Sequence, residues 1–160
     1  MNKNRNILVL NGKIFNKVKL LNLIGNYTNI ICADGAANKL IELNIIPNFI
    51  IGDMDSIKKK YLKKYDIKIL KIYNQNLNDL NKCLLWLKEQ KVREIDIIGF
   101  DGKRFDHSLG NFSVVMKSIS FININIFTDH GKFITCDKKL ILKNCKNKHI
   151  SIFNRSEKKK

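Results

Sequence analysis

The feature that most constrains the fold is a regular alternation of short apolar runs with segments of helical periodicity. Several runs stop at Gly, Asp or Asn, as in Leu10-Asn11-Gly12. Short continuous apolar runs are typical of parallel strands buried on both faces. We therefore predict an α/β fold in which a mostly parallel sheet has helices on both faces. The predicted strands are residues 7–10, 28–33, 49–51, 67–72, 95–98 and 122–127, and the predicted helices are residues 18–24, 36–43, 57–65, 78–89 and 105–119.

The pattern changes after Thr128, where the long helical segments stop. Residues 132–135, 140–142 and 149–153 are predicted to be short strands separated by turns. We therefore expect an α/β domain over residues 1–128. A short β remnant of a second, β-sandwich domain and a charged tail would follow over residues 129–160.

Composition limits the classes of function. The chain has 160 residues and a formal charge of +16, but only four of its 30 basic residues are Arg. Because Arg is the better residue for forked recognition of phosphates and guanine, we predict a loose, salt-sensitive attraction to polyanions and no specific nucleic-acid site. Cys32 and Cys83 lie in apolar segments and no C-x-x-C pair occurs, so no zinc site is expected. No run is long enough for a bilayer span or a signal peptide, which favours a cytoplasmic protein without a membrane partner.

Two acidic residues, Asp53 and Asp55, directly follow the third predicted strand and Gly52. In α/β sheets, ligands bind at the carboxyl ends of the strands. Two carboxylates this close repel each other unless a cation or donor lies between them, and Mg²⁺ prefers such oxygen ligands. The pair therefore indicates a metal–phosphate site, and the alternative is a solvated loop with two turn-forming Asp residues.

Three further polar clusters lie where predicted strands end. The first contains Asp34 and Asn38, which could face a ligand, although capping of the next helix is an alternative for Asp34. In the second, Asp79 and Lys82 share a helix face and could serve a metal and a phosphate, or form an ordinary surface ion pair. The third, residues 99–107, contains a loop that is flanked by Gly99 and Gly102 and opens a helix next to Arg104. It suits a bound phosphate or is simply a helix start with a solvated Arg.

The four clusters together resemble the catalytic domain of thiamine pyrophosphokinase. The matching segments are residues 34–38, the Gly-Asp-x-Asp-Ser motif at 52–56, residues 74–84, and the Gly-x-x-Gly-x-Arg-x-Asp-His motif at 99–107, followed by Asn111. Neither a Walker-type loop nor a G-x-G-x-x-G fingerprint is present, so a nucleotide would be bound without either.

The resemblance implies Mg²⁺ as a cofactor, ATP as co-substrate, thiamine as acceptor and a homodimer. The implied catalytic residues are Asp53, Asp55, Asp79 and Arg104, and the implied metal ligands are Asp53, Asp55, Asn74 and Asp79. The implied nucleotide-site residues are Asp34, Asn38, Gln75, Lys82, Gly102, Arg104, Asp106, His107 and Asn111.

The sequence departs from the family pattern in two places. Asn74 stands where the family usually has an acidic metal ligand, which removes one negative charge and should weaken metal binding. Only the opening strands of the family's thiamine-binding sandwich are recognisable, with residues 149–153 matching one of them. These departures keep open a relative that binds nucleotide or thiamine phosphates without turnover. A Mg²⁺-dependent phosphohydrolase that uses the same carboxylates is a second alternative. A basic nucleic-acid-binding protein is the third; the charge of +16 suggests it, but the sequence disfavours it because it has no recognition-helix or aromatic-rich basic motif.

Overall fold

The computed structural model describes residues 5–102 and 104–153, which form a seven-stranded sheet flanked by helices. The sheet order is β4-β3-β2-β1-β5-β6-β7; all neighbouring pairs are parallel except β6 and β7. The predicted mostly parallel α/β sheet is confirmed. The strands are β1 Asn6–Val9, β2 Asn29–Ala33, β3 Phe49–Gly52, β4 Lys68–Lys71, β5 Glu94–Ile98, β6 Asn123–Phe127 and β7 Lys132–Ile134, and the helices are α1 Lys17–Ile24, α2 Ala36–Glu42, α3 Lys59–Lys64, α4 Asp79–Glu89 and α5 Phe105–Ser118.

Two apolar cores, one on each face of the sheet, explain why the strands read as continuous apolar runs. On β1, Ile7 and Val9 join the core under α1, α2 and α3, whereas Leu8, and Leu10 just after the strand, join the core under α4 and α5. Successive side chains of a strand point to opposite faces, so a strand covered on both sides needs apolar residues at every position. Cys32 and Cys83 are fully buried in these cores, as the sequence predicted.

The strand order reverses at β1, which lies between β2 and β5. A crevice at such a switch point is the usual ligand site of an open α/β sheet. Here the loops after β1 and β5 interlock: the Gly12 N–H donates to the Gly99 carbonyl at 2.8 Å, and the Lys13 N–H donates to the Asp101 carbonyl at 2.6 Å. A Cβ on Gly12 or Gly99 would collide with backbone carbonyl oxygens. Glycine therefore allows these two loops to meet.

The predictions for the C-terminal part were only partly right. Strand β7 forms and pairs antiparallel with β6, but residues 140–142 and 149–153 are not strands. Their apolar side chains are exposed, Ile152 for 88% of its surface. A β-strand needs a neighbouring strand to accept and donate its ladder hydrogen bonds, and these segments have none in the described parts of the chain. One tail contact is an edge-to-face pair of the Phe112 and Phe153 rings at 6.5 Å.

No helix in the described parts of the chain has both the length and the apolar character that crossing a bilayer requires.

Candidate active site

Three carboxylates meet at the carboxyl ends of β2 and β3. Oxygen atoms of Asp34, Asp53 and Asp55 all lie within 4.8 Å of one another. Asp34 directly follows β2 and the other two follow β3, and the parallel pairing of these strands places their ends side by side. Gly52 makes the approach possible, because a Cβ there would lie 2.8 Å from the Asp34 Cβ. The structure therefore adds Asp34 to the predicted carboxylate pair.

The backbone of this cluster is strained at two non-glycine residues. Asp34 has φ +35° and Met54, between the two other acids, has φ +70°. Left-handed conformations are uncommon for residues with a Cβ, and they persist where surrounding contacts hold them. The turn at Met54 lets two carboxylates that are two residues apart gather at one point.

The Asp34 carboxylate is the buried member of the cluster. Its Oδ2 accepts a hydrogen bond from the Ser56 N–H at 3.2 Å, whereas its Oδ1 is buried without a hydrogen-bond partner. Burial, and then the neighbouring Asp55, raise the pKa of Asp34 to about 6. The Asp55 Oδ1 accepts from the Ser56 hydroxyl at 2.7 Å. The capping alternative for Asp34 is excluded, because the N-cap of α2 is Gly35 and no side chain caps it.

This donor set fits a small, hard cation. A buried carboxylate oxygen without a hydrogen-bond partner is costly, and Asp34 carries such an oxygen beside two other carboxylates. Mg²⁺ takes carboxylate oxygens as ligands and completes its shell with water or phosphate oxygens. Asp34, Asp53 and Asp55 offer three such oxygens at one place.

A buried lysine lies between two of the predicted acidic residues. Lys82 on α4 is 3% exposed, and its Nζ lies 3.2 Å from Asp53 Oδ2 and 3.4 Å from Asp79 Oδ1. Burial opposes the charge of this ammonium, but the hydrogen bond to Asp53 and the charges of both acids outweigh it and raise the pKa of Lys82. Burial also works against the charge of Asp53, yet the hydrogen bond from Lys82 leaves its pKa below the usual value. The predicted shared face of Asp79 and Lys82 is confirmed, and the contact to Asp53 is new.

Asn38 and Asn74 use their amides within the protein. The Asn38 Nδ2 donates to the Ser56 carbonyl at 2.8 Å, and its Oδ1 accepts from the Lys58 N–H at 2.9 Å. The Asn74 Oδ1 accepts from the Asn76 N–H at 2.9 Å. Asn74 and its neighbour Gln75 are both exposed.

The loop after β5 carries the predicted phosphate-binding arginine. Arg104 precedes α5 and forms a forked pair with Asp106, with Nε to Oδ1 at 3.0 Å and Nη2 to Oδ2 at 2.5 Å. Both side chains, and His107 beside them, are exposed. The hydrogen bond and charge of Asp106 raise the pKa of Arg104, so the guanidinium stays charged. Gly102 has φ +89° and packs against the Lys13 side chain.

Asn111 connects this loop to α4. Its Nδ2 donates to the Phe100 carbonyl at 3.3 Å, and its Oδ1 accepts from the Asn78 amide at 3.2 Å. Asn78 is the N-cap of α4, the helix that carries Asp79 and Lys82. Asn111 therefore joins the start of α4 to the loop that follows β5 and carries Arg104, which we call the arginine loop.

Sequence reasoning missed two residues that shape the site. Ser56 donates to both Asp34 and Asp55. The Lys39 Nζ donates to the carbonyls of Gly12 at 2.8 Å and Asn11 at 3.2 Å. The Ser that ends the acidic motif was a visible signal for the first. Nothing in the local sequence distinguishes Lys39 from the many other lysines of the chain, so its contacts to the loop after β1 could not be predicted.

Comparison with known proteins identifies the family. The sequence model of the family described as thiamin pyrophosphokinase, catalytic domain, matches residues 20–128. Thiamine pyrophosphokinase 1 of Oryza sativa subsp. japonica is 31% identical over 121 residues, which cover 60% of this chain and 45% of that protein. Thiamine pyrophosphokinase of Saccharomyces cerevisiae is 35% identical over 95 residues, covering 51% of this chain and 30% of that protein. The chain thus spans less than half of the length of these curated relatives.

Solved structures show the same fold. The crystal structure of yeast thiamin pyrophosphokinase superposes with a TM-score of 0.65 at 22% identity, over 80% of this chain and 59% of that one. The enzyme from Bacillus subtilis superposes with a TM-score of 0.61 at 24% identity, over 78% and 61%. Because the family model covers more than half of its residues, the chain belongs to the thiamine pyrophosphokinase family, through that family's catalytic domain.

Proposed function

We propose that this chain catalyses transfer of the pyrophosphoryl group of ATP to the hydroxyl of thiamine, giving thiamine diphosphate and AMP. The observation that carries the proposal is the gathering of Asp34, Asp53 and Asp55 at the strand ends, in a chain of this family. The relatives it matches bear the name of this activity.

We propose that Mg²⁺ is held by Asp34, Asp53 and Asp55. Asp79 lies near this site, because Lys82 contacts both Asp79 and Asp53. When bound, the ion would offset the negative charge of the ATP phosphates. Asn74 is a weaker candidate, because its amide oxygen already accepts a hydrogen bond from Asn76. Lys82 would hold Asp53 and Asp79 in place rather than reach a phosphate, since its ammonium is buried between them.

The reaction requires one bond to form and one to break at the β-phosphorus. The thiamine hydroxyl oxygen attacks that phosphorus, the bond to the oxygen bridging the α- and β-phosphates breaks, and AMP leaves with that oxygen. The hydroxyl proton passes to a carboxylate, for which the exposed Asp55 is the candidate. Arg104, held by Asp106, would neutralise charge on the transferred group. Gln75, Gly102, His107 and Asn111 complete the proposed nucleotide site.

The test is a reaction mixture of the chain, ATP, Mg²⁺ and thiamine, analysed for AMP and thiamine diphosphate together. We expect both products in equal amounts, and Asp55→Asn should reduce their formation about 100-fold or more. Asp66→Asn is the matched control, because Asp66 is also exposed and lies outside the site. Phosphate release without thiamine would identify a phosphohydrolase instead, and ATP binding without products would identify a relative that has lost turnover.

We also propose a cytoplasmic homodimer in which residues 1–128 are the catalytic domain and residues 129–160 begin a second, thiamine-binding domain. The exposed apolar side chains after β6 support an additional interface. They include Phe133, Ile141, Ile150 and Ile152. Sedimentation of the purified chain tests this, and a monomer at all concentrations would contradict the homodimer.

A further inference from the structure

The carboxylate loop and the β1 loop meet at the start of α2. The carboxylate loop is residues 53–58, and the β1 loop is residues 11–13. Both approach Gly35, where a Cβ would lie 2.9 Å from the Ser56 Cβ and 3.0 Å from the Asn11 Nδ2. A single helix start therefore contacts both loops that line the candidate site.

Two consecutive residues of α2 fasten these loops separately. Asn38 donates to the Ser56 carbonyl and accepts from the Lys58 N–H, which fixes the carboxylate loop. Lys39 donates to the carbonyls of Asn11 and Gly12, which fixes the β1 loop. Consecutive residues of a helix are rotated by about 100° around its axis, so two adjacent side chains can contact loops on different sides of the helix.

The β1 loop is hydrogen-bonded in turn to the arginine loop. Gly12 and Lys13 donate backbone hydrogen bonds to Gly99 and Asp101, and Arg104 follows in the same loop. Hydrogen bonds of the adjacent residues Asn38 and Lys39 thus tie the carboxylate loop and the β1 loop to α2. The hydrogen bonds to Gly99 and Asp101 then tie the β1 loop to the arginine loop. The carboxylate loop needs such support, because Met54 within it has a left-handed backbone.

We propose that Asn38 and Lys39 are positioning residues: Asn38 fixes the carboxylates for a divalent cation, and Lys39 fixes the arginine loop relative to them. The inference rests on the proposed function for its kinetic part only. It differs from the sequence-based expectation that Asn38 touches the nucleotide. Groups that orient metal ligands typically change metal affinity or activity 10- to 100-fold when removed.

The first experiment compares Asn38→Ala with Asn22→Ala, a control on the exposed side of α1. Free Mn²⁺ measured by electron paramagnetic resonance gives the affinity of the chain for this probe ion, and mass spectrometry gives amide hydrogen exchange. Asn38→Ala should lower Mn²⁺ affinity about 10-fold or more and speed exchange over residues 53–58, while Asn22→Ala changes neither. If Asn38→Ala does not fold, Asn38→Ser takes its place.

The second experiment compares Lys39→Met, which keeps the aliphatic stem, with Lys39→Arg and with the exposed control Lys17→Met. Lys39→Met should speed exchange over residues 11–13, leave Mn²⁺ affinity within twofold of wild type, and lower kcat about 10-fold. Lys39→Arg keeps a donor for the two carbonyls and should retain most of kcat.

Unchanged exchange over residues 53–58 and unchanged Mn²⁺ affinity in the Asn38 variant would overturn the role of Asn38. Faster exchange over residues 53–58 instead of 11–13 in Lys39→Met would overturn the role of Lys39. If the wild-type chain forms no thiamine diphosphate, the proposed function fails, but the exchange and Mn²⁺ comparisons still decide the positioning roles.

Discussion

Replacing Asp34 with Asn should stabilise the chain without metal and destabilise it with metal. The carboxylate is buried, its Oδ1 has no partner, and its pKa is raised from 3.8 to about 6. A raised carboxyl pKa means that the folded state binds the proton more tightly than the unfolded state, so stability is lost as the pH rises from about 4 through 6. Asn keeps the shape and removes the charge.

The size of the effect follows from that pKa difference. About two pKa units correspond to about 3 kcal/mol at pH 8, where the folded state must keep the carboxylate ionised. An amide also leaves one polar atom without a partner, which costs about 1–2 kcal/mol. We therefore expect Asp34→Asn to gain about 1–2 kcal/mol at pH 8 in chelator. The gain should shrink by about 1–1.5 kcal/mol at pH 5, where much of the wild-type carboxyl is protonated.

Urea denaturation followed by circular dichroism measures this at pH 5 and pH 8, with EDTA or with excess Mg²⁺. At 100 times the dissociation constant, Mg²⁺ adds about 2.7 kcal/mol to wild type, and Asp34→Asn should lose most of this gain. Asp66→Asn, at an exposed carboxylate, should change neither value. The reasoning is refuted if Asp34→Asn is less stable than wild type in EDTA at pH 8, or if it gains as much stability from Mg²⁺.

Three further substitutions, the first paired with a control substitution, test neighbouring contacts. Gly52→Ala should lower the free energy of unfolding in urea by about 1–3 kcal/mol, because the new Cβ would lie 2.8 Å from the Asp34 Cβ. The control Gly110→Ala, on α5 with open space around it, should raise that free energy by up to about 1 kcal/mol. Equal effects of the two would contradict the close approach. Lys82→Met should cost about 1–3 kcal/mol in the same assay, since Asp53 loses its buried partner; a variant as stable as wild type would show that the ammonium is dispensable. Arg104→Lys should lower kcat about 10-fold and leave stability unchanged, because the exposed fork is lost but no packing is, and an unchanged kcat in the product assay would remove Arg104 from the reaction.

The sheet could be predicted from the sequence because its signal is local. Strand β1 needs apolar residues at every position between two cores, and the printed sequence shows such a run. Residues 140–142 show a similar run, yet they form no strand. Whether such a run pairs depends on a neighbouring strand, and no local pattern contains that information.

Contacts within one element of the candidate site follow from the sequence, but contacts between elements do not. Asp79 and Lys82 are three residues apart on a helix, so their contact follows from helix geometry. The contacts from Lys82 to Asp53 and from Asn38 to Ser56 join residues on different elements. Asp34 was expected in the nucleotide site, and its place among the carboxylates depends on β2 lying beside β3.

The electrostatics of the site argue for a substrate that arrives with a cation. The chain carries a formal charge of +16, which by itself favours polyanions. At the candidate site the balance is reversed, because Asp34 and Asp55 lie close to Asp53, and the ammonium of Lys82 is shared between Asp53 and Asp79. Burial, and then the neighbouring Asp55, raise the pKa of Asp34, so the hydrogen bond from the Ser56 N–H offsets its charge only in part. A bare phosphate would be repelled at this point, whereas a nucleotide complexed with a divalent cation would be attracted. In the function proposed above, the basic surface would raise the local concentration of ATP and the carboxylates would select its metal complex.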